Sequence, residues 1–470
     1  MKKYWTILFC GLTLALGACS LNIDIEDEIA GDDAIDNVAV AREALNDAYY
    51  TFPKHFMDLS MLAEDFFPTA LMRYSANTAN YYKWREQEMI EISEGLWRNY
   101  YAAVTSINIL LASEKYIGRD TAADKTAWET IKGEAYALKA LIYFELLNLY
   151  SDRYAPDNRG IILKERFGAE NSPQSLAKDC LLEVKTLLAD ARGLLEDKEY
   201  DGNYYYRLNH PAVLLLSARV ALYEGDTDGA AQYCRTLLAE RGFASDTPNA
   251  SDYAKLWENS PSTEKLFAFW NENQMNTSYY NYSALQGDII AVPDVFDYDR
   301  GDVRYGVATL PFEMKRTDGT TPVTYNLMGK YRTAVDDYEY VNLNCLRLAE
   351  AYFILAECEA AEGHDDDARK TINFLLRRRG AEEIEDYVDG DDLMERIMLE
   401  KQKEFVGEGL NYFDLKRTGR SMRRFAADNS AGVEESVIAP DDHRWLLPLP
   451  LGELRENRGT EQNPKWPGII

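Results

Sequence analysis

The stretch "LLLSARVALYEGDTDGAAQYCRTLLAERG" (residues 214–242) holds two apolar runs separated by a glycine. Its apolar residues recur at helical spacing up to Tyr223, break at Gly225, and resume from Ala230 to Leu238 among good helix formers. The pattern predicts a helix, a glycine turn and a second helix. A later stretch, "LAEAYFILAECEAAEGHDDDARKTINFLLRRRG" (348–380), repeats it. Placing Gly363 on Gly225 brings Ala356 onto Ala218, Ala368 onto Ala230, and Leu375 and Leu376 onto Leu237 and Leu238. Small residues let paired helices approach closely, and glycine supplies the turn.

These are the physical requirements of a tetratricopeptide-type hairpin, a unit that becomes stable by stacking. Working outward, "AVAREALNDAYYTF" (39–52), "SEGLWRNYYAAVTSINILLASEKY" (93–116) and "TAWETIKGEAYALKALIYFELLNLY" (126–150) carry the same periodicity and read as core helices. Pairing 37–52 with 93–114, and 126–150 with 175–197, supplies two more units. The third helix is apolar almost all round between Lys139 and Glu145, as expected where neighbours cover several sides, and its charges exclude a membrane span. Between the two repeat copies the composition changes. "KLFAFWNENQMNTSYYNYSALQGDIIAVPDVFDYDRGDVRYG" (265–306) alternates short aromatic strings with Asn, Gly, Asp and Pro, which predicts loops and short strands. The expected fold is therefore mostly α: about four tetratricopeptide-like helix pairs with an irregular, aromatic-rich insertion at about 243–340.

The N-terminus reads differently. Lys2 and Lys3 precede an apolar run, Tyr4 to Ala18, shorter than the ~20 residues of a spanning helix. Gly17 and Ala18 stand before Cys19, with Leu16 three positions ahead of it, the pattern of a lipoprotein signal peptide over residues 1–18. Cys19 is then the lipidated first residue, residues 19–36 an acidic tether, and 37–470 one domain. Net charge is −28, and loss of two lysines with the signal takes it to −30, which argues against nucleic acid and strongly anionic ligands. Cys180, Cys234, Cys345 and Cys358 sit in apolar helical contexts and read as buried small hydrophobes. The four histidines are isolated, and no metal, nucleotide or other cofactor motif is present. The acidic run at 382–392 lacks the oxygen ladder of a calcium loop. What stands out is aromatic: 32 tyrosines and 8 tryptophans.

Besides the lipoprotein start, "LWRNYYAAVTSINILL" (96–111), "GEAYALKALIYFELLNLYSD" (133–152), "LRLAEAYFILAECEAAEG" (346–363), "EKQKEFVGEGLNYFDLKRTGR" (400–420) and "LLPLPLGELRENRGTEQNP" (446–464) resemble, in order, the signatures of the SusD/RagB family. The resemblance implies a non-catalytic, cell-surface lipoprotein of the outer membrane. It would capture an oligosaccharide, or in some members peptides, and pass it to a SusC-like TonB-dependent transporter barrel. Within the signatures, Glu408, Gly409, Asp414 and Arg417 match the Glu-Gly and Asp-Leu-x-Arg positions and read as buried charged pairs rather than ligand contacts. The C-terminal "LPLP" and "QNP" read as an extended tail laid on the scaffold.

A neutral sugar needs aromatic faces over its C–H surfaces and amides or carboxylates at its edges. Two stretches offer that mixture: Tyr74, Asn77, Asn80, Tyr81, Tyr82 and Trp84, and Trp270, Asn271, Asn273, Gln274, Tyr279, Tyr280 and Tyr282. The strongest candidates are Tyr81, Trp84, Trp270 and Tyr280. Tyr204, Tyr205 and Tyr206 precede a repeat helix and read as packing, as do Trp97, Tyr100 and Tyr101 inside a helix pattern. A glycosidase would need two carboxylates at a set separation, and among 79 acids pairs such as Asp299 and Asp302 arise by chance. A helical-repeat adaptor without a small ligand is the third class of function this sequence admits.

Overall fold

The computed structural model describes residues 34–68, 82–166, 171–198, 205–270, 289–291, 295–315, 322–331, 342–424 and 435–468. Helices α1 (Val38–Thr51), α2 (Phe56–Leu62), α3 (Glu86–Ala112), α4 (Ala122–Tyr150), α5 (Ala177–Leu195), α6 (His210–Glu224) and α7 (Thr227–Arg241) form the first part. They are followed by α8 (Ala250–Lys255), α9 (Leu348–Ala361), α10 (Asp365–Arg379), α11 (Gly390–Glu404), α12 (Leu410–Thr418) and α13 (Leu451–Glu456). The pairs are the expected ones: α1 packs on α3, α4 on α5, α6 on α7 and α9 on α10. The fold is mostly α with tetratricopeptide-like repeats, and α9 joins the last two units by packing also on α7 and α11.

Local chemistry sets the helix ends. Thr121 and Asp124 form a reciprocal capping box at the start of α4. Asn209 caps α6, with Pro211 in its first turn. Gly225 and Gly363 both adopt left-handed backbone, with φ of 86° and 77°. A Cβ at either would meet nothing within 4 Å. The turn geometry, not crowding, therefore demands glycine at both positions. In α10, three aspartates in the first turn and three arginines in the last complement the helix dipole.

Helix α4 is buried all round through its second half. Its charges are satisfied in place: Lys139 donates to Asn108 Oδ1 at 2.8 Å, and Glu134 accepts both arms of Arg42. Among the described residues no helix is long and apolar enough to cross a membrane.

Short antiparallel strands pair two by two: β1 (Phe66–Pro68) with β3 (Ile289–Ala291), β2 (Lys265–Phe269) with β6 (Leu343–Arg347), β4 (Thr309–Lys315) with β5 (Pro322–Met328), and β7 (Met422–Arg424) with β8 (Ser436–Ile438). Strands β2 and β6 are wholly buried. Arg347 ends β6 against a buried ionic cluster, where its guanidinium meets Glu264, Glu404 and Glu408, while Arg379 meets Glu264 and Glu404. Burial alone would raise the Glu404 carboxyl, but Arg379, Arg347 and Arg304 hold it well below the usual carboxylate range.

The signature charges are structural, as the sequence suggests. Glu408 accepts from Lys330 and Arg347, while Asp414 accepts from Lys401 and Arg417, whose other arm grips Glu357. The C-terminal tail lies on the helices: Leu447 N donates to Leu149 O at 2.9 Å, and Asn463 Nδ2 donates to the carbonyls of Tyr150 and Leu447. Cys180, Cys234, Cys345 and Cys358 are buried free thiols.

Candidate functional site

Three exposed or half-exposed aromatic rings surround a cleft of about 580 Å³ lined by Glu43, Asn46, Asp47, Tyr49, Tyr50, Tyr206, Arg207 and Trp270. Each ring is aimed by a buried neighbour in sequence. On α1, Tyr49 turns inward, where its hydroxyl donates to Glu134 and accepts from Leu208 N, so Tyr50 points outward and is 61% exposed. Strand β2 ends with Phe269 stacked on Phe52 at 4.3 Å, and the next residue, Trp270, emerges 49% exposed. Tyr205 is buried under Lys265, whose Nζ lies 4.6 Å from the ring centroid, and its carbonyl accepts from Ala268 N. Tyr206 is thereby placed edge to face with Trp270, centroids 6.1 Å apart.

The polar groups come from α1 and from the segment before α6. Glu43, Asn46, Asp47 and Tyr50 stand at i, i+3, i+4 and i+7, one stripe of a helix. The Arg207 guanidinium lies 5.6 Å over the Tyr206 ring. Lys54 donates to the carbonyls of Tyr49, Tyr50 and Phe52, closing the C-terminus of α1, and its Nζ is 5.5 Å from the Tyr50 centroid. Burial lowers the Lys54 ammonium to about 8. Stacking faces, carboxylates, an amide and a guanidinium thus share one open cleft, a chemistry suited to a polyhydroxylated ligand.

Of the residues singled out from sequence, Trp270 is in this cleft. Tyr82 and Trp84 are corrected: both are fully buried. The Trp84 indole donates to Leu62 O at 3.0 Å and packs edge to face on Trp445 at 4.8 Å, with left-handed backbone at φ 51°. The Arg424 guanidinium covers the Tyr82 ring at 4.5 Å. These rings plug the space between α2, α12 and the C-terminal segment, so they offer no face to a ligand. Tyr81, Asn271, Tyr279, Tyr280, Tyr282 and Cys19 lie outside the described residues. Tyr206, read as packing, lines the cleft instead. Tyr50 and the α1 carboxylates escaped the sequence reading because a helix pattern does not say which exposed stripe borders a cleft. Trp97, Tyr100 and Tyr101 are core residues as read. Asp302 is buried and engaged by Arg304, so it is not poised beside Asp299 as a hydrolytic pair.

A smaller cavity of about 50 Å³ lies in the core among α4, α6, α9 and α12, lined by Glu145, Arg219, Tyr223, Glu350 and Arg417. Its charges serve the interior: Arg219 forms an ion pair with Glu350, and Arg417 with Glu357.

Residues 303–466 match the SusD family, and residues 23–222 match a family described as starch-binding and associating with the outer membrane. No curated protein matches the chain. Among solved structures, a SusD superfamily protein from Bacteroides vulgatus superposes with a TM-score of 0.77 at 22% identity, covering 92% of this chain and 99% of that one. A SusD-like carbohydrate-binding protein from the same organism gives 0.74 at 19%, covering 90% and 97%. A SusD superfamily protein from Bacteroides thetaiotaomicron gives 0.73 at 20%, covering 91% and 100%.

Proposed function

The chain belongs to the SusD/RagB family, and from that premise we propose that it captures a neutral oligosaccharide at the cell surface and delivers it to a SusC-like TonB-dependent transporter in the outer membrane. The observation that carries this reading is the cleft where Tyr50, Tyr206 and Trp270 present rings beside Glu43, Asn46, Asp47 and Arg207. Rings of this kind cover the apolar faces of pyranoses, and the surrounding groups exchange hydrogen bonds with hydroxyls. An open platform buries only part of a sugar chain, so affinity for a free oligosaccharide is modest. The protein acts by binding, without catalysis. A lipid on Cys19, after removal of residues 1–18, holds it at the membrane through the acidic segment that follows.

The test is calorimetric titration of residues 20–470 against neutral oligosaccharides, acidic oligosaccharides and mixed peptides, repeated with Trp270→Ala and Tyr206→Ala. Binding of a neutral glycan that is lost in both variants supports the reading. Binding confined to peptides moves the chain to the peptide-capturing side of its family, and silence across the panel leaves a helical-repeat scaffold.

A further inference from the structure

The stripe of α1 that borders the cleft has an unusual charge arrangement. Glu43 and Asp47 are exposed carboxylates one helical turn apart, a spacing at which like charges repel. Among the described residues neither makes an ion pair, although Arg42, on the next face of the same helix, is locked to Glu134. Each carboxylate receives one hydrogen bond from a neutral neighbour: Ser106 Oγ to Asp47 Oδ2 at 3.2 Å, and Asn46 Nδ2 to Glu43 Oε2 at 3.4 Å. A carboxylate can accept about four, so both retain acceptor capacity at the cleft. The opposing cation, Arg207, stacks on Tyr206 and likewise makes no ion pair among the described residues. Lys54 is occupied by three backbone carbonyls.

Resting on the glycan-binding reading, we infer that Glu43 and Asp47 are the specificity-determining residues of this cleft, excluding saccharides that carry carboxylate or sulfate groups and admitting those that present only hydroxyls. A hydroxyl donates to these oxygens while its own oxygen accepts from Arg207, so a neutral sugar satisfies both sides. An anionic sugar meets two carboxylates against one guanidinium, and because both carboxylates are exposed this repulsion is screened by added salt. The effect is local, and is distinct from the acidity of the whole chain.

The experiment takes the neutral oligosaccharide that binds best in the panel and the same oligosaccharide with its primary hydroxyls oxidised to carboxylates. Both are titrated into residues 20–470 as wild type, as Glu43→Gln/Asp47→Asn and as Arg207→Gln, at low and high salt. The readout is the ratio of the two affinities. Wild type should prefer the neutral form by at least about tenfold at low salt, less at high salt. The double variant should bring the ratio near unity, and Arg207→Gln should raise it. Equal binding of both forms by wild type, or a preference unchanged in the double variant, overturns the inference while Trp270-dependent glycan binding still stands. If no panel glycan binds, the glycan reading itself fails and this inference fails with it.

Discussion

Arg347 and Glu408 are joined by two hydrogen bonds, Nε to Oε2 at 2.8 Å and Nη2 to Oε1 at 2.9 Å, with both residues buried. The pair ties the end of β6 to the turn before α12, and Lys330 adds a third donor to the same carboxylate. Replacing Glu408 with Ala removes the only carboxylate that Lys330 meets among the described residues and leaves Arg347 with Glu264 and Glu404, a loss of about 3–5 kcal/mol. Urea denaturation should show the midpoint falling accordingly. A change under about 1 kcal/mol would mean the cluster is hydrated or rearranges freely.

Trp270 and Trp84 should respond in opposite ways to the same substitution. Trp270→Ala removes a half-exposed ring and should weaken glycan binding at least about tenfold while leaving stability within about 0.5 kcal/mol. Trp84→Ala removes a fully buried indole with its hydrogen bond to Leu62 O, and should cost about 3–5 kcal/mol. Parallel calorimetry and thermal melts separate the two; a thermally silent Trp84→Ala would refute its core assignment.

Glu145 makes stability depend on pH. Burial raises its carboxyl from 4.5 to about 7, partly offset by Arg219 and Tyr100, while burial lowers the facing His55, 3.8 Å away, to about 4. The folded state therefore keeps a proton on Glu145 that the unfolded chain releases above pH 4.5. Its stabilising contribution is complete below that value and is lost as pH rises through about 7. Glu145→Gln imitates the protonated acid at every pH. The variant should gain on wild type by on the order of 2 kcal/mol between mildly acidic and mildly alkaline buffer. Differencing the two proteins removes most of the His55 contribution, and a difference that stays flat with pH would contradict the assignment.

Gly225 and Gly363 test the repeat alignment. Each has positive φ with open space where a Cβ would go, so Gly225→Ala and Gly363→Ala should each cost about 1 kcal/mol through backbone strain alone. Denaturation of the single variants, and near-additivity in the double, would check that the two turns play the same part. A neutral result at either would break the equivalence.

The helical hairpins were readable because their causes are local. A 3.6-residue period, a small-residue contact and a glycine turn are written within some thirty consecutive residues, and the alignment of Gly225 with Gly363 carries over directly to matching left-handed turns. The short strands of the insertion were readable as punctuation, but not their pairing: β2 meets β6 from the far end of the insertion. The signature charges could be assigned to the interior, yet their partners Lys330, Arg347 and Glu357 come from other elements.

The repeat scaffold, the family pattern and the abundance of aromatic side chains are all legible in the order of residues. Which of those rings face water depends on how distant segments pack. Tyr49 and Tyr50, Tyr205 and Tyr206, and Phe269 and Trp270 are neighbours of similar hydrophobicity, and in each pair one residue is buried while the other exposes its ring at the cleft. Helix and strand geometry sends consecutive side chains in different directions. Which direction is the interior depends on the segment packed against it: Glu134 and Leu208 for Tyr49, Phe52 for Phe269, Lys265 for Tyr205. The same reason hid Trp84, whose cover, Trp445, arrives from the C-terminal tail.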